Sequence, residues 1–215
     1  MRLAFVDPGP LVYDLDSPGR IPLGGSESAL CYLTKALSQA GHEIYFLKGN
    51  DPPHWHGRVR ALPLSPSLLH DLLPLDAVVV LNAAGHGAAL RGAIGRHTKL
   101  VLWIHQAPDQ PVLEALKDPF VRDAYDGWAC VSRWLAEMSS RIFGLDPRGV
   151  GVLRNAVSPW FLDLFSSADA ILPAKRRPSL LAYTSTPYRG LDRLLEAFPQ
   201  IREAMPGVGL RVFSS

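Results

Sequence analysis

Residues 24–47 read GGSESALCYLTKALSQAGHEIYFL, and this stretch decides the fold. Ala29, Leu30, Leu33, Ala36, Leu37 and Ala40 recur at three- and four-residue spacing, which puts them on one face of a helix. Gly41 supplies a stop, because glycine takes the left-handed turn that ends helices at little steric cost. Glu43 to Leu47 (EIYFL) is then a strand. Working backward, Arg2 to Asp7 (RLAFVD) is an apolar run ending in an acid, a strand that opens the unit. Strand, helix and strand in this order make a right-handed crossover between parallel strands. The segment between, Pro8 to Gly25, is rich in proline and glycine. It is far longer than the ~2–6 residues of an ordinary strand-to-helix connection, so it is predicted to carry function.

The alternation continues outward. Arg58 to Leu62, Ala77 to Leu81 (AVVVL), Lys99 to Ile104 (KLVLWI), Trp128 to Val131 and Gly151 to Leu153 are predicted strands. Ser65 to Leu73, Ala88 to Arg96, and one or two short pieces within Pro111 to Tyr125 are predicted helices. Ser132 caps another helix that runs to about Phe143. The expected fold is therefore α/β, a doubly wound parallel sheet with helices on both faces. Residues 1–157 form its first domain. Residues 158–178 read as a linker, polar, proline-containing and basic at Lys175, Arg176 and Arg177. Residues 179–215 restart the pattern with a strand at Ser179–Tyr183, a helix at Leu191–Met205 and a strand at Leu210–Phe213. One such unit cannot bury both faces of its strands. It is read as an incomplete second domain that would pair with the first domain or with a second copy, a homodimer through 179–215.

Composition excludes several classes. Hydrophobic residues make up 47% and charged residues 20%, which argues against disorder. A net charge of +2 gives no global case for nucleic acid. No run approaches the ~20 apolar residues of a membrane-spanning helix. The N-terminal MRLAFVDPGP loses its apolar character at Asp7 and does not read as a signal peptide. Cys31 and Cys130 both lie in apolar segments and are expected to be buried thiols of a reducing, cytoplasmic compartment.

The candidate chemistry gathers just after strands, where open α/β sheets bind their ligands. Gly24, Gly25, Ser26 and Glu27 open the first helix. Glycines there let a phosphate or sugar approach the free backbone N–H groups. His105 ends KLVLWI, where an imidazole can bond to a substrate or move a proton near neutral pH. Asn82 and His86 follow AVVVL, and Ser132 follows another strand. Gly24, Gly25, Asn82, His105 and Ser132 are expected to face one cleft. There is no G-x-G-x-x-G after the first strand, no G-x-x-x-x-G-K-[ST] loop and no G-x-S-x-G elbow. Nicotinamide binding, that phosphate loop and α/β-hydrolase chemistry are therefore disfavoured. His54-Trp55-His56 has the look of a metal pair but no obvious third ligand, and it is read as a surface loop with no metal demanded.

These pieces, in order, resemble the retaining glycosyltransferases of the GT-B fold, specifically glycosyltransferase family 4. The resemblance rests on GGSESALCYLTKALSQAGHEIYFL, on VLWIH ending at His105, on CVSRWL, on LRNAV with Ala156 where glycine is usual, and on LLAYTSTPYRGLDRLLEAFPQIREAMPGVGLRVFSS. It implies a Rossmann-like N-terminal acceptor-side domain and the start of a nucleotide-sugar-binding domain. It also implies transfer, with retention, of a sugar from a nucleotide-diphosphate-sugar donor to a glycan, lipid or small acceptor, and no further cofactor. Gly24 and Gly25 match the turn that approaches the donor diphosphate, and His105 matches the histidine near the transferred sugar. Arg189 falls at the position of a diphosphate-binding lysine, and Tyr183 at that of its companion arginine. The family's E-x7-E segment would lie beyond residue 215, so the chain alone is expected to turn over little donor. The alternatives are a catalytically idle binding module that keeps the N-terminal cleft and, less favoured, a two-domain epimerase.

Overall fold

A computed structural model of the chain describes residues 1–49, 51–162, 164–175 and 179–213. Two units emerge, Met1–Ala156 and Val157–Ser215.

The first unit is built on β1 (Arg2–Asp7), whose alternate residues go to opposite faces. Leu3 and Phe5 join one apolar cluster, and Ala4 and Val6 join the other. From β1 the chain passes through helix α1 (Gly25–Gln39) to β2 (Glu43–Lys48), then to β3 (His54–His56) and β4 (Val59–Leu62). It returns through α2 (Pro66–Asp71) to β5 (Ala77–Leu81) on the other side of β1. It then steps outward through α3 (Gly87–Ile94), β6 (Lys99–Ile104), α4 (Pro119–Arg122), β7 (Gly127–Cys130), α5 (Arg133–Phe143) and β8 (Val150–Val152). The sheet order is β3-β4-β2-β1-β5-β6-β7-β8, parallel throughout except for β3 against β4. The chain thus winds outward in two directions from β1, and the carboxyl ends of its seven parallel strands share one edge.

The two faces are covered unequally. Leu30 and Cys31 of α1 pack with Phe5, Phe46, Leu81 and Trp103 on one side. On the other, Leu69 of α2, Leu90 and Ile94 of α3, and Leu135 and Phe143 of α5 pack over Val80, Leu102 and Cys130. On the α1 side Val79, Val101 and Ala129 are only half-buried. Both cysteines are buried and free. The termini of α5 show how locally the sequence acts. The Ser132 hydroxyl accepts the Leu135 N–H at 3.1 Å, and Gly144 closes the helix at φ 66°. A cap of this kind is worth about 0.5–2 kcal/mol.

The predicted loop at His54-Trp55-His56 is instead a short edge strand, with His54 opposite Ala61 and His56 opposite Val59. Pro52 and Pro53 before a three-residue run and Gly57 after it hide a strand whose pairing is decided by its neighbour.

The second unit contains β9 (Leu180–Tyr183) and β10 (Gly209–Val212), a parallel pair joined through α7 (Leu191–Ala204). Gly190 sits at φ 96° before α7, a left-handed position that suits glycine. No residue of α7 is buried, and Leu180, Leu195, Val212 and Phe213 are exposed. The predicted linker is not without structure. It carries single helical turns at Pro159–Phe161 and Ala168–Ala170 and a short helix α6 (Ile171–Lys175). Proline at the start of the first turn presets the helical φ. Arg176 and Arg177 of the predicted basic run lie outside the described residues.

Candidate functional site

The carboxyl edge of the first sheet is organised around a charged cluster. β1 and β2 are six residues each and end in Asp7 and Lys48, which are register partners. Lys48 Nζ donates to Asp7 Oδ2 at 2.9 Å and to the Gly9 carbonyl at 3.0 Å. The Tyr13 hydroxyl donates to the same Asp7 oxygen at 2.5 Å, and the Gly9 N–H to Asp7 Oδ1 at 2.8 Å. The Asp7 and Lys48 side chains are each 6% exposed. Burial and the adjacent Asp7 carboxylate push the Tyr13 phenol well above its ordinary range. Both oxygens of Asp7 are therefore engaged in structural hydrogen bonds. It anchors the start of the long segment Pro8–Leu23, and a Cβ on Gly9 would press on its carboxylate. Further along, Leu15 is fully buried and Asp16 receives Lys35 at 2.6 Å.

That segment delivers Gly24 and Gly25 to the start of α1. Gly24 is the N-cap, extended, and no side chain caps the helix, so its first N–H groups lack an intrahelical partner. Gly25 faces open space. The Glu27 carboxylate lies over Gly24, where a side chain at that position would collide with it. Ser26 and Glu27 occupy the first turn and are half-buried.

Asn82 and His105 form the other half of the edge. Asn82 follows β5 at φ 54°, a left-handed position that asparagine tolerates better than most residues. It is buried and bridges two strands. Its N–H donates to the Trp103 carbonyl at 2.9 Å, and its Oδ1 accepts the His105 N–H at 2.8 Å. The His105 ring meets the Trp103 ring edge-on, centroids 4.5 Å apart. Trp103 belongs to the α1-side cluster, so the histidine stands on the same face of the sheet as α1. His105 Nε2 and Trp103 Nε1 are enclosed and have no hydrogen-bond partner among the described residues. Burial pushes the His105 imidazole down to about 4, so it is neutral at pH 7.

The topology therefore brings Gly24, Gly25, Asn82, His105 and Ser132 to the carboxyl ends of four consecutive strands, β1, β5, β6 and β7. The Ser132 hydroxyl is engaged as the cap of α5. His86 is exposed at the start of α3. Arg189 belongs to the second unit, on an exposed turn at Pro187–Arg189 just before α7. Tyr183 ends β9, and its hydroxyl donates to the Thr186 carbonyl at 2.6 Å. Asp7, Lys48 and Tyr13 escaped the sequence reading. The signal was present in two apolar strands of equal length ending in opposite charges.

The fold defines the class of protein this chain resembles. Solved structures that share it are glycosyltransferases. A sucrose-phosphate synthase from Thermosynechococcus elongatus aligns over 99% of this chain and 70% of its own, at 13% identity and a TM-score of 0.56. A glycosyltransferase from Rickettsia africae aligns over 100% of this chain and 68% of its own, at 11% identity and a TM-score of 0.57. At these identities the likeness is one of fold. No protein-family model matches the chain, and no curated protein matches it by sequence. Among the described residues no helix is long and apolar enough to cross a membrane.

Proposed function

We propose that the chain carries the acceptor-side domain and the start of the nucleotide-sugar-binding domain of a GT-B glycosyltransferase of the family 4 type, which moves a sugar from a nucleotide-diphosphate-sugar to a glycan, lipid or small acceptor with retention. The observation that carries this reading is the Asn82–His105 pair at the carboxyl edge. Asn82 fixes the backbone of the loop that bears an imidazole, and that imidazole is half-buried and neutral. A neutral His105 acts by hydrogen bonding to a sugar hydroxyl or to the acceptor, not by charge. The uncapped N–H groups at Gly25 and Ser26 suit the diphosphate, since a helix start favours anions. Within the second unit, Arg189 is the candidate cation for a diphosphate, because a guanidinium forms charge-assisted bonds to phosphate oxygens. Asn82 is a positioning residue, because it acts through the His105 loop.

A second reading, a binding module without transfer, is favoured by one observation. The Glu27 carboxylate already lies over Gly24, an internal anion at the place a diphosphate would take. The two readings separate on donor binding. Nucleotide-diphosphate-sugars are screened by thermal shift, where a ligand at a hundred times its Kd adds about 2.7 kcal/mol to the unit that binds it. The transferase reading expects stabilisation by at least one nucleotide sugar, and a loss of that stabilisation in Gly25→Val and His105→Ala. Stabilisation by free sugars alone, indifferent to Gly25→Val, favours the binding module.

A further inference from the structure

The edge strand β3 holds two imidazoles in an arrangement that a folded protein does not keep without a third party. His54 and His56 are two residues apart in a strand, so they share one face. Their Nε2 atoms are 3.0 Å apart, and their ring centroids are 4.9 Å apart. The two Nε2 corners are thus directed toward one another. What the other nitrogens touch settles the protons. His54 Nδ1 lies 2.8 Å from the Pro52 carbonyl, which can only accept, so Nδ1 carries the hydrogen. His56 Nδ1 lies 3.3 Å from Asp16 Oδ2. Asp16 is ion-paired through its other oxygen with the Lys35 ammonium at 2.6 Å, so it too is an acceptor and His56 Nδ1 also carries a hydrogen. Between two neutral rings both Nε2 atoms are then lone pairs 3.0 Å apart, so either a proton or a metal ion must join them.

We propose that His54 and His56 together bind one divalent transition-metal ion through their Nε2 atoms. The orientation of each ring by an Nδ1–H bond, one to a backbone carbonyl and one to a carboxylate, is the outer-shell pattern of metal-bound histidines. Two metal–nitrogen bonds of about 2.0–2.1 Å spanning the observed gap subtend roughly 94° at the ion. That angle fits neighbouring positions of a square-planar or octahedral ion better than a tetrahedral one, which selects Cu2+ or Ni2+ over Zn2+. Among the described residues no group of three or more His, Cys, Asp or Glu side chains is placed to hold a metal. Water therefore completes the coordination. The histidines help to wall a pocket that Asp14, Asp51 and Lys48 also line, and His54 is exposed, so the ion has both an entry path and room for its waters. The ion would tie the sheet's antiparallel edge, through Asp16, to the long segment that carries Gly24 and Gly25.

The test is titration of the tag-free full chain with Cu2+, read by calorimetry and by electron paramagnetic resonance. The expected result is saturation at one high-affinity ion per chain with splitting from two imidazole nitrogens. His54→Ala and His56→Ala each weaken binding at least tenfold, and Asp16→Asn weakens it by about ten- to a hundredfold as an outer-shell change. His42→Ala is the control, because His42 Nδ1 lies 3.3 Å from the terminal amine of Met1 and offers a rival copper site. Melting curves without metal establish that each variant is folded. Binding that survives the double His54→Ala/His56→Ala change, or that disappears with His42→Ala, overturns the proposal. So does the absence of saturable binding, which would mean that a shared proton holds the two rings together.

Discussion

The two units of the chain use the same strand–helix–strand motif and bury it to very different degrees. In the first, β1 lies between β2 and β5, with three strands on one side of it and four on the other, and fully buried side chains such as Leu47, Leu30 and Leu102 surround it. In the second, β9 has one strand neighbour, and α7 contributes no buried residue. The motif is thus only a local instruction. Its stability comes from what is laid against it, because packing of the apolar face, not helix propensity, supplies most of a helix's stabilisation in a protein. The first unit can hold Asn82 at a left-handed φ and keep unpaired nitrogens at His105 and Trp103, since the surrounding core absorbs the cost. Arg189, on an exposed turn, has no such frame within its own unit.

Four changes sharpen that contrast, the first three taken from the largest effect down. Lys48→Met leaves the Asp7 carboxylate buried without its cation. It is expected to cost about 3–5 kcal/mol in urea unfolding, whereas hydrophobic replacement of both partners costs much less. Next, Leu102→Ala is expected to cost about 2–5 kcal/mol by leaving a cavity in the first core. Leu195→Ala, half exposed on α7, is expected to stay within about 0.5–1 kcal/mol. Equal costs for the two leucines would break the contrast. The fourth change is read in the pH dependence of stability. His105 is held to about 4 when folded against 6.5 unfolded, so its contribution is complete above pH 6.5 and is lost as pH falls toward 4. His105→Gln should therefore flatten the loss of stability between pH 6.5 and 4. An unchanged slope would mean that the ring is not desolvated.

Much of the frame could be read from the residues because it is set locally. KLVLWI is a strand from Lys99 to Ile104 in both the reading and the structure, as expected of an apolar run too short for a helix. Ser132 and Gly144 bracket α5 by chemistry carried in their own side chain and backbone. What depended on distant partners was not legible. β3 is a strand only because β4 lies beside it, and the facing of its two histidines follows from that register. The Asp7–Lys48 pair needed the alignment of β1 with β2, residue by residue. The turns within Pro159–Lys175 escaped because polar, proline-containing sequence permits single helical turns as readily as extended chain. For the candidate site, the strand-end positions of Gly24, Asn82 and His105 followed from the alternating pattern. The Asn82 bridge and the Glu27 carboxylate over Gly24 are side-chain contacts with no signature in spacing.

The proposed sugar and nucleotide site at the carboxyl edge of the first sheet is tested most directly by backbone amide NMR. The 15N-labelled chain is titrated with a panel of nucleotide-diphosphate-sugars and free sugars. The account predicts saturable shifts at Gly25, Ser26, Asn82 and His105, with the amides at the opposite edge, such as Leu3 and Leu100, unmoved. Shifts confined to that opposite edge, or no saturable shift from any member of the panel, would contradict it.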